Sequence, residues 1–185
     1  MDVLIISSSR DEIDDYYKSI ARSISNFLAY NECNLIFGGS SSSMMGICYD
    51  EFSRLDRNIY AYTTSKYIDD LKNLKNAKPI ICETTFDLKK HMFENSDLIV
   101  CLPGGLGTIS ELLSYIEEKR SNDRDIPIIV YDENNYYKNF FNMLNETIIN
   151  KFSDNNIYLT FDLATNVEEF KDLFMEKRGK IKWII

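Results

Sequence analysis

Short runs of consecutive apolar residues recur along the chain, separated by longer segments of mixed polarity. An uninterrupted apolar run without polar alternation is typical of a strand buried on both faces of a parallel sheet. Several of these runs end directly in serine or glycine, which are common where a strand gives way to a loop. The pattern predicts strands over residues 3–6, 34–37, 59–62, 80–82, 97–102, 127–131 and 157–161.

Between the runs, apolar residues recur at spacings of three and four, which places them on one face of a helix. The clearest example carries Ile13, Ile20, Ile24 and Leu28. The same spacing predicts helices over residues 44–55, 86–94, 108–120, 136–151 and 167–177, and a charged segment near residues 63–79 is expected to be partly helical. Strand and helix alternate throughout. We therefore expect a single α/β domain over residues 1–185, a Rossmann-like doubly wound parallel sheet of about six or seven strands with helices on both faces.

Charge and composition exclude several classes of function. The net charge of −8 repels polyphosphate, and there is no long basic patch, so nucleic-acid binding is not expected. No apolar stretch is long enough to span a membrane, and the first residues lack the basic start of a signal peptide. The single histidine and the spacing of the four cysteines do not fit a zinc site. We expect a cytoplasmic protein with reduced cysteines, no metal, and a small molecule as its ligand.

Three predicted strands end in loops of small residues, at 7–9, 38–43 and 104–108. Ligands of open α/β sheets bind outside the carboxyl ends of the strands, and free backbone N–H groups at a helix N-terminus suit phosphate oxygens. The loops therefore predict a phosphomonoester pocket, although glycine-rich turns can also serve only to reverse the chain. Neither a Walker A motif nor the dinucleotide fingerprint is present.

The stretch Pro103-Gly104-Gly105-Leu106-Gly107-Thr108-Ile109-Ser110-Glu111 matches the PGGxGTxxE signature of the Lonely Guy family, long mislabelled as lysine decarboxylases. Residues 6–9 and 37–46 resemble the first two loops of that family, and Pro127 and the pair Tyr136-Tyr137 also fall at family positions. The resemblance extends to about Leu173. It implies a phosphoribohydrolase that splits the N-glycosidic bond of a nucleoside 5′-monophosphate into free base and ribose 5-phosphate, without a cofactor; nothing in the sequence resembles a pyridoxal phosphate site.

The resemblance also implies roles for individual residues. Glu111 would be the catalytic carboxylate, since a carboxylate can stabilise positive charge on the ribose and orient water. Lys89 would be the cation of the site. The phosphate of the substrate would be bound by Gly104, Gly105, Gly107 and Thr108. The rest of the nucleotide would be bound by Ser8, Gly38 and Gly39. Thr108 and Glu111 also fit a helix capping box, a purely structural alternative for Glu111.

Two departures from the family pattern leave alternatives open. The short helix before the signature strand usually carries RKxxM; Lys89 and Met92 match, but the arginine position holds Leu88. Ser110 replaces the first glutamate of the usual GTxEE. A lysine lacks the bidentate fork of arginine, so a nucleotide-binding or sensor protein with little turnover is the alternative to the enzyme. The base stays open, and the resemblance together with the apolar residues of the signature helix predicts a homodimer.

Overall fold

The computed structural model describes residues 1–121 and 124–181. Within them, the chain forms a single sheet with helices and three short 3₁₀ segments at 65–73, 133–135 and 155–159. The strands are β1 (Asp2–Ile6), β2 (Asn34–Phe37), β3 (Ile59–Thr64), β4 (Lys78–Cys82), β5 (Leu98–Cys101), β6 (Ile128–Tyr131) and β7 (Asp162–Ala164). The helices are α1 (Asp15–Tyr30), α2 (Ser43–Arg54), α3 (Thr85–Glu94), α4 (Leu106–Ser121), α5 (Lys138–Ile149) and α6 (Val167–Ile181).

All seven strands are parallel, in the order β4-β3-β2-β1-β5-β6-β7, which confirms the predicted fold class. The chain builds outward from β1 to β4 on one side and returns to start the other side at β5. In register, Val3 of β1 lies between Leu35 of β2 and Leu98 of β5. The gap between the ends of β1 and β5 is therefore the topological switch point, where such folds bind ligands.

Alternate residues of the strands face two separate cores, one on each side of the sheet. Val3 and Ile5 belong to the core beneath α1, α2 and α6, whereas Leu4 and Ile6 belong to the core beneath α3, α4 and α5. All four side chains are at most 2% exposed. Burial on both faces explains why the strand segments are continuously apolar rather than alternating.

One predicted strand, residues 157–161, is wrong. Residues 155–159 form a 3₁₀ turn, and the last strand is β7, whose Asp162 pairs with Ile129 of β6. The Thr160 hydroxyl donates to the carbonyl of Ile157 at 2.6 Å, and the Thr160 N–H bonds the same carbonyl at 3.1 Å. These local bonds compete with an extended backbone.

The capping box predicted for Thr108 and Glu111 is also wrong. Helix α4 begins at Leu106, and the Ile109 N–H already donates to the carbonyl of Gly105 at 3.0 Å. Thr108 and Glu111 therefore lie within the helix rather than at its cap. The helix therefore begins two residues earlier than the polar pattern indicates.

Both edges of the sheet are short or blocked. Edge strand β4 begins with Lys78 and Pro79, which are exposed, and proline has no N–H to offer to another strand. At the opposite edge, β7 has only three residues. No helix among the described residues is long and apolar enough to cross a bilayer.

Candidate active site

A cavity of about 510 Å³ lies at the carboxyl edge of the sheet, across the switch point. Its walls come from the loops after β1 and β2, the end of β3 with the 3₁₀ segment that follows, one face of α3 and the first turns of α4. The lining residues are Ser9, Gly38, Ser40, Met45, Thr63, Thr64, Tyr67, Asp70, Thr85, Leu88, Lys89, Leu106, Gly107, Ser110 and Glu111. This volume falls in the range of small-ligand pockets.

Four of the residues predicted from the sequence line this cavity: Gly38, Lys89, Gly107 and Glu111. They come from β2, α3 and α4, which are far apart in the chain, so the fold brings the motif positions together. Leu88 also faces the cavity, so the site carries an apolar side chain where the family pattern has an arginine.

The other predicted residues are not among those that line the cavity: Gly105 is exposed, whereas Ser8, Gly39, Gly104 and Thr108 are buried. The Ser8 hydroxyl accepts the Arg10 N–H at 3.1 Å and its carbonyl accepts the Met45 N–H at 3.3 Å. Ser9 faces the cavity in its place. Gly39 has a φ of +69°, and an added Cβ would come within 2.9 Å of the Tyr62 carbonyl oxygen. Ser8 and Gly39 therefore join the loops to each other and to the sheet.

The glycines of the signature differ in what surrounds them. A Cβ on Gly104 would overlap the buried side chain of Thr108, so this glycine permits the loop to close onto the helix. Gly105 and Gly107 have no neighbour within 4 Å of such a Cβ. Their backbone is therefore open to close approach by a ligand.

The N-terminus of α4 is suited to an anion. The N–H groups of Leu106, Gly107 and Thr108 precede that of Ile109, which is the first N–H to donate within the helix, and no acidic residue occupies the first turn. Unpaired N–H groups and the helix dipole together favour negative charge at this end. Gly107 brings this end of the helix to the cavity wall.

Two neighbouring tyrosines hold the signature loop in place. The Tyr136 hydroxyl donates to the Gly104 carbonyl at 2.9 Å, and the buried Tyr137 hydroxyl donates to the Leu102 carbonyl at 2.7 Å. With its carbonyl turned toward Tyr136, the Gly104–Gly105 peptide directs its N–H the opposite way, because the two groups of a trans peptide point in opposite directions. This gives the tyrosine pair noted in the sequence a physical role.

Glu111 of α4 and Lys89 of α3 are two of the charged residues that line the cavity. Burial raises the pKa of Glu111 to about 7, and the positive charge of Lys89 opposes that rise. The Lys89 ammonium donates a hydrogen bond to the Ser110 hydroxyl at 2.7 Å. Among the described residues nothing donates a hydrogen bond to Glu111, so its carboxylate is available to a ligand. Near neutral pH this group is divided between its ionised and neutral forms.

Sequence reasoning missed much of the wall between β3 and α3. Thr63, Thr64 and Thr85 carry no motif signal, because each also fits an ordinary strand or helix end, and Met45 lies in the stretch 37–46 that resembles the family but was not predicted to bind substrate. Tyr67 and Asp70 lie in the 3₁₀ segment 65–73, whose charged and weakly periodic sequence gave no indication of a site. No cluster of potential metal ligands occurs in the parts of the chain that the structure describes.

A second cavity, of about 650 Å³, lies between α3 and α4 on the far side of Lys89. Phe86, Phe93, Tyr115 and Arg124 line it, and the rings of Phe93 and Tyr115 stack with centroids 5.6 Å apart. Phe86 is 80% exposed. The two cavities therefore flank the same pair of helices.

Fold and site together define a doubly wound α/β protein with a ligand cavity at its switch point. A family model described as "Possible lysine decarboxylase" matches residues 45–173, and the chain belongs to this family, the Lonely Guy family.

The curated relatives are named for an activity other than lysine decarboxylation. The chain is 24% identical to "Probable cytokinin riboside 5′-monophosphate phosphoribohydrolase LOG4" of Oryza sativa subsp. japonica, over 90% of this chain and 73% of that protein. It is 21% identical to "Cytokinin riboside 5′-monophosphate phosphoribohydrolase LOG5" of Arabidopsis thaliana, over 98% of this chain and 83% of that protein.

Solved structures share the fold. The structural genomics target TM1055 superposes with a TM-score of 0.70 at 16% identity, covering 95% of this chain and 98% of that one. The molybdenum cofactor binding protein from Rippkaea orientalis gives a TM-score of 0.69 at 14% identity, covering 95% and 94%. At these identities the likeness concerns the fold alone.

Proposed function

We propose that the protein hydrolyses the N-glycosidic bond of a nucleoside 5′-monophosphate, releasing the free base and ribose 5-phosphate. The observation that carries the proposal is the position of Glu111, one helical turn after Gly107, on the wall of the same cavity. A phosphate on the helix N-terminus would leave the ribose of the same nucleotide beside this carboxylate. The activity named for the relatives supports the same reaction.

In this reaction the bond between the base nitrogen and C1′ of ribose breaks, and positive charge builds on the ribose. The ionised carboxylate of Glu111 would stabilise that charge and orient the attacking water. Water supplies the hydroxyl that joins C1′, and its proton balances the departing base. Lys89 favours the ionised form of Glu111.

The phosphate would bind to the backbone of the signature, from Gly104 and Gly105 to Gly107 and Thr108. Gly107 faces the cavity, and the open surroundings of Gly105 suit an oxygen approaching the backbone. Gly104 and Thr108 support this loop by packing on each other. Gly38, which lines the opposite wall, would contact the nucleoside; Ser8 and Gly39 support that wall from behind.

The test is to incubate the protein with AMP, other nucleoside monophosphates and a cytokinin riboside 5′-monophosphate, and to measure free base by chromatography. We expect release of base from at least one monophosphate and its loss in Glu111→Gln. Glu117→Gln is the matched control, because Glu117 lies on the same helix but is exposed and outside the cavity. Monophosphates that bind but stay intact would refute the hydrolase.

The second candidate is a nucleotide-binding protein with little turnover. Leu88 in the cavity wall favours it, because a leucine offers neither charge nor hydrogen bonds to a phosphate or to the transition state. Leu88→Arg separates the two candidates. A large gain in turnover would show that the native chain is mainly a binder, whereas an already active native enzyme would gain little.

We also propose that the chain forms a homodimer through the faces of α3 and α4. Phe86, which lines the second cavity, and Leu113 of α4 are both exposed, and covering such apolar side chains is favourable. Leu112, Tyr115 and Ile116 are occupied in the core of the chain itself, so the exposed surface is smaller than the sequence pattern indicates. Light scattering at micromolar concentration should give twice the 21.6 kDa chain mass.

A further inference from the structure

The wall of the cavity formed by the 3₁₀ segment 65–73 lies away from α4, because this segment follows β3 whereas α4 follows β5, three strands along the sheet. This segment contributes the ring of Tyr67, and Met45 of α2, the helix that follows the adjacent strand β2, adds an apolar side chain to the cavity lining. The flat faces of a nucleobase stack on aromatic and apolar side chains. If phosphate and ribose occupy the positions proposed above, the base of the nucleotide meets this wall.

Asp70 is the one acidic residue on this side of the cavity among the described residues. Its neighbour Asp69 forms an ion pair with Lys72 at 2.8 Å. Within residues 1–121 and 124–181, by contrast, the carboxylate of Asp70 takes part in no hydrogen bond or ion pair. An ionised carboxylate only accepts hydrogen bonds, so it attracts N–H groups and repels carbonyl oxygens.

We propose that Asp70 is a specificity-determining residue that selects nucleotides whose base carries an exocyclic amino group, while Tyr67 stacks on that base. Adenine and cytosine present such a group, whereas hypoxanthine and uracil carry a carbonyl oxygen at the same ring position. This inference rests on the proposed function of the same site, since it uses the orientation of a bound nucleoside monophosphate.

The test is calorimetric titration with two matched ligand pairs, AMP against IMP and CMP against UMP. Binding is measured in the Glu111→Gln background so that ligand is not consumed. We expect the amino-bearing member to bind about tenfold more tightly, as for a hydrogen bond to a charged group. Asp70→Asn should reduce the ratio to within about twofold, because an amide both donates and accepts.

Asp69→Asn is the matched control, because it removes the adjacent carboxylate outside the cavity and should leave both ratios unchanged. Tyr67→Ala should weaken all four ligands by a similar factor, whereas Tyr67→Phe should retain their affinities. Equal affinity within both pairs, or a ratio that survives Asp70→Asn, would overturn the inference.

The outcome is separable from that of the proposed function. Selective binding that depends on Asp70 but no release of base from the native protein would retain the base recognition and refute the hydrolase. Release of base at equal rates from AMP and IMP, with equal affinities, would retain the hydrolase and refute the role of Asp70.

Discussion

Replacing Glu111 by glutamine should stabilise the protein at high pH while removing the proposed hydrolase activity. The ordinary pKa of a glutamate is 4.5, and in the folded protein that of Glu111 is about 7. Folding therefore favours the neutral form of this side chain. This preference contributes to the stability of the folded protein below pH 4.5. The contribution is lost as the pH rises through about 7, where the buried group ionises.

The magnitude follows from this difference in pKa. At ~1.4 kcal/mol for each pKa unit, the difference between 4.5 and about 7 means that ionising Glu111 in the folded protein costs at most about 3.5 kcal/mol. The Glu111 side chain keeps partial contact with solvent in the cavity, and this solvent screens its charge. We therefore expect the cost of ionisation to be about 1–2 kcal/mol. For a chain of this size that corresponds to a rise in Tm of roughly 2–8 °C for Glu111→Gln at pH 8.

The assay is thermal unfolding of the native protein and Glu111→Gln at pH 5 and pH 8. The gain should be clear at pH 8 and much smaller at pH 5. Glu117→Gln is the control, because the hydrogen bond from Arg120 lowers the pKa of Glu117. Replacing Glu117 by a neutral glutamine should therefore bring no gain in thermal stability at high pH. A stability difference for Glu111→Gln that is the same at both pH values would refute the reasoning.

Three further results are expected. If the enzyme acts through ionised Glu111, kcat/KM should rise with pH and level off above about 7. Lys89→Met should move the midpoint of this rise to higher pH, because Lys89 lowers the pKa of Glu111. A profile that falls through pH 7 would contradict this role. In calorimetry, AMP should bind at least about tenfold more tightly than adenosine. Tyr136→Phe should reduce this ratio, because it removes the hydrogen bond from the Tyr136 hydroxyl to the Gly104 carbonyl. Gly104→Ala should cost about 1–3 kcal/mol in denaturant unfolding through overlap with Thr108, whereas Gly105→Ala, which has open space, should cost far less.

The alternation of apolar runs and helical spacing was sufficient to predict the fold class, because strands buried on both faces form continuous apolar runs. Strand β2 coincides with the predicted residues 34–37, where an apolar run ends directly in glycine. The segment 157–161 has a similar apolar content but folds as a 3₁₀ turn. A short run cannot reveal whether its backbone bonds to a neighbouring strand or to itself.

The candidate site was only partly predictable. Glu111 and Lys89 were indicated by motif positions, and the fold brings both to one cavity. The raised pKa of Glu111 could not be predicted, because it depends on burial by residues from other elements. Tyr67 and Asp70 belong to a segment without periodicity, and only the three-dimensional structure shows that they face the cavity.

The blocked edges of the sheet restrict how copies of this chain can associate. Pro79 on β4 withholds a backbone donor, and β7 is too short to serve as a template for another strand. A continuous intermolecular sheet across two copies is therefore disfavoured, as is growth into a fibre. Any assembly must instead form between helical surfaces, where contact depends on side chains and single substitutions can weaken it without disturbing the strands.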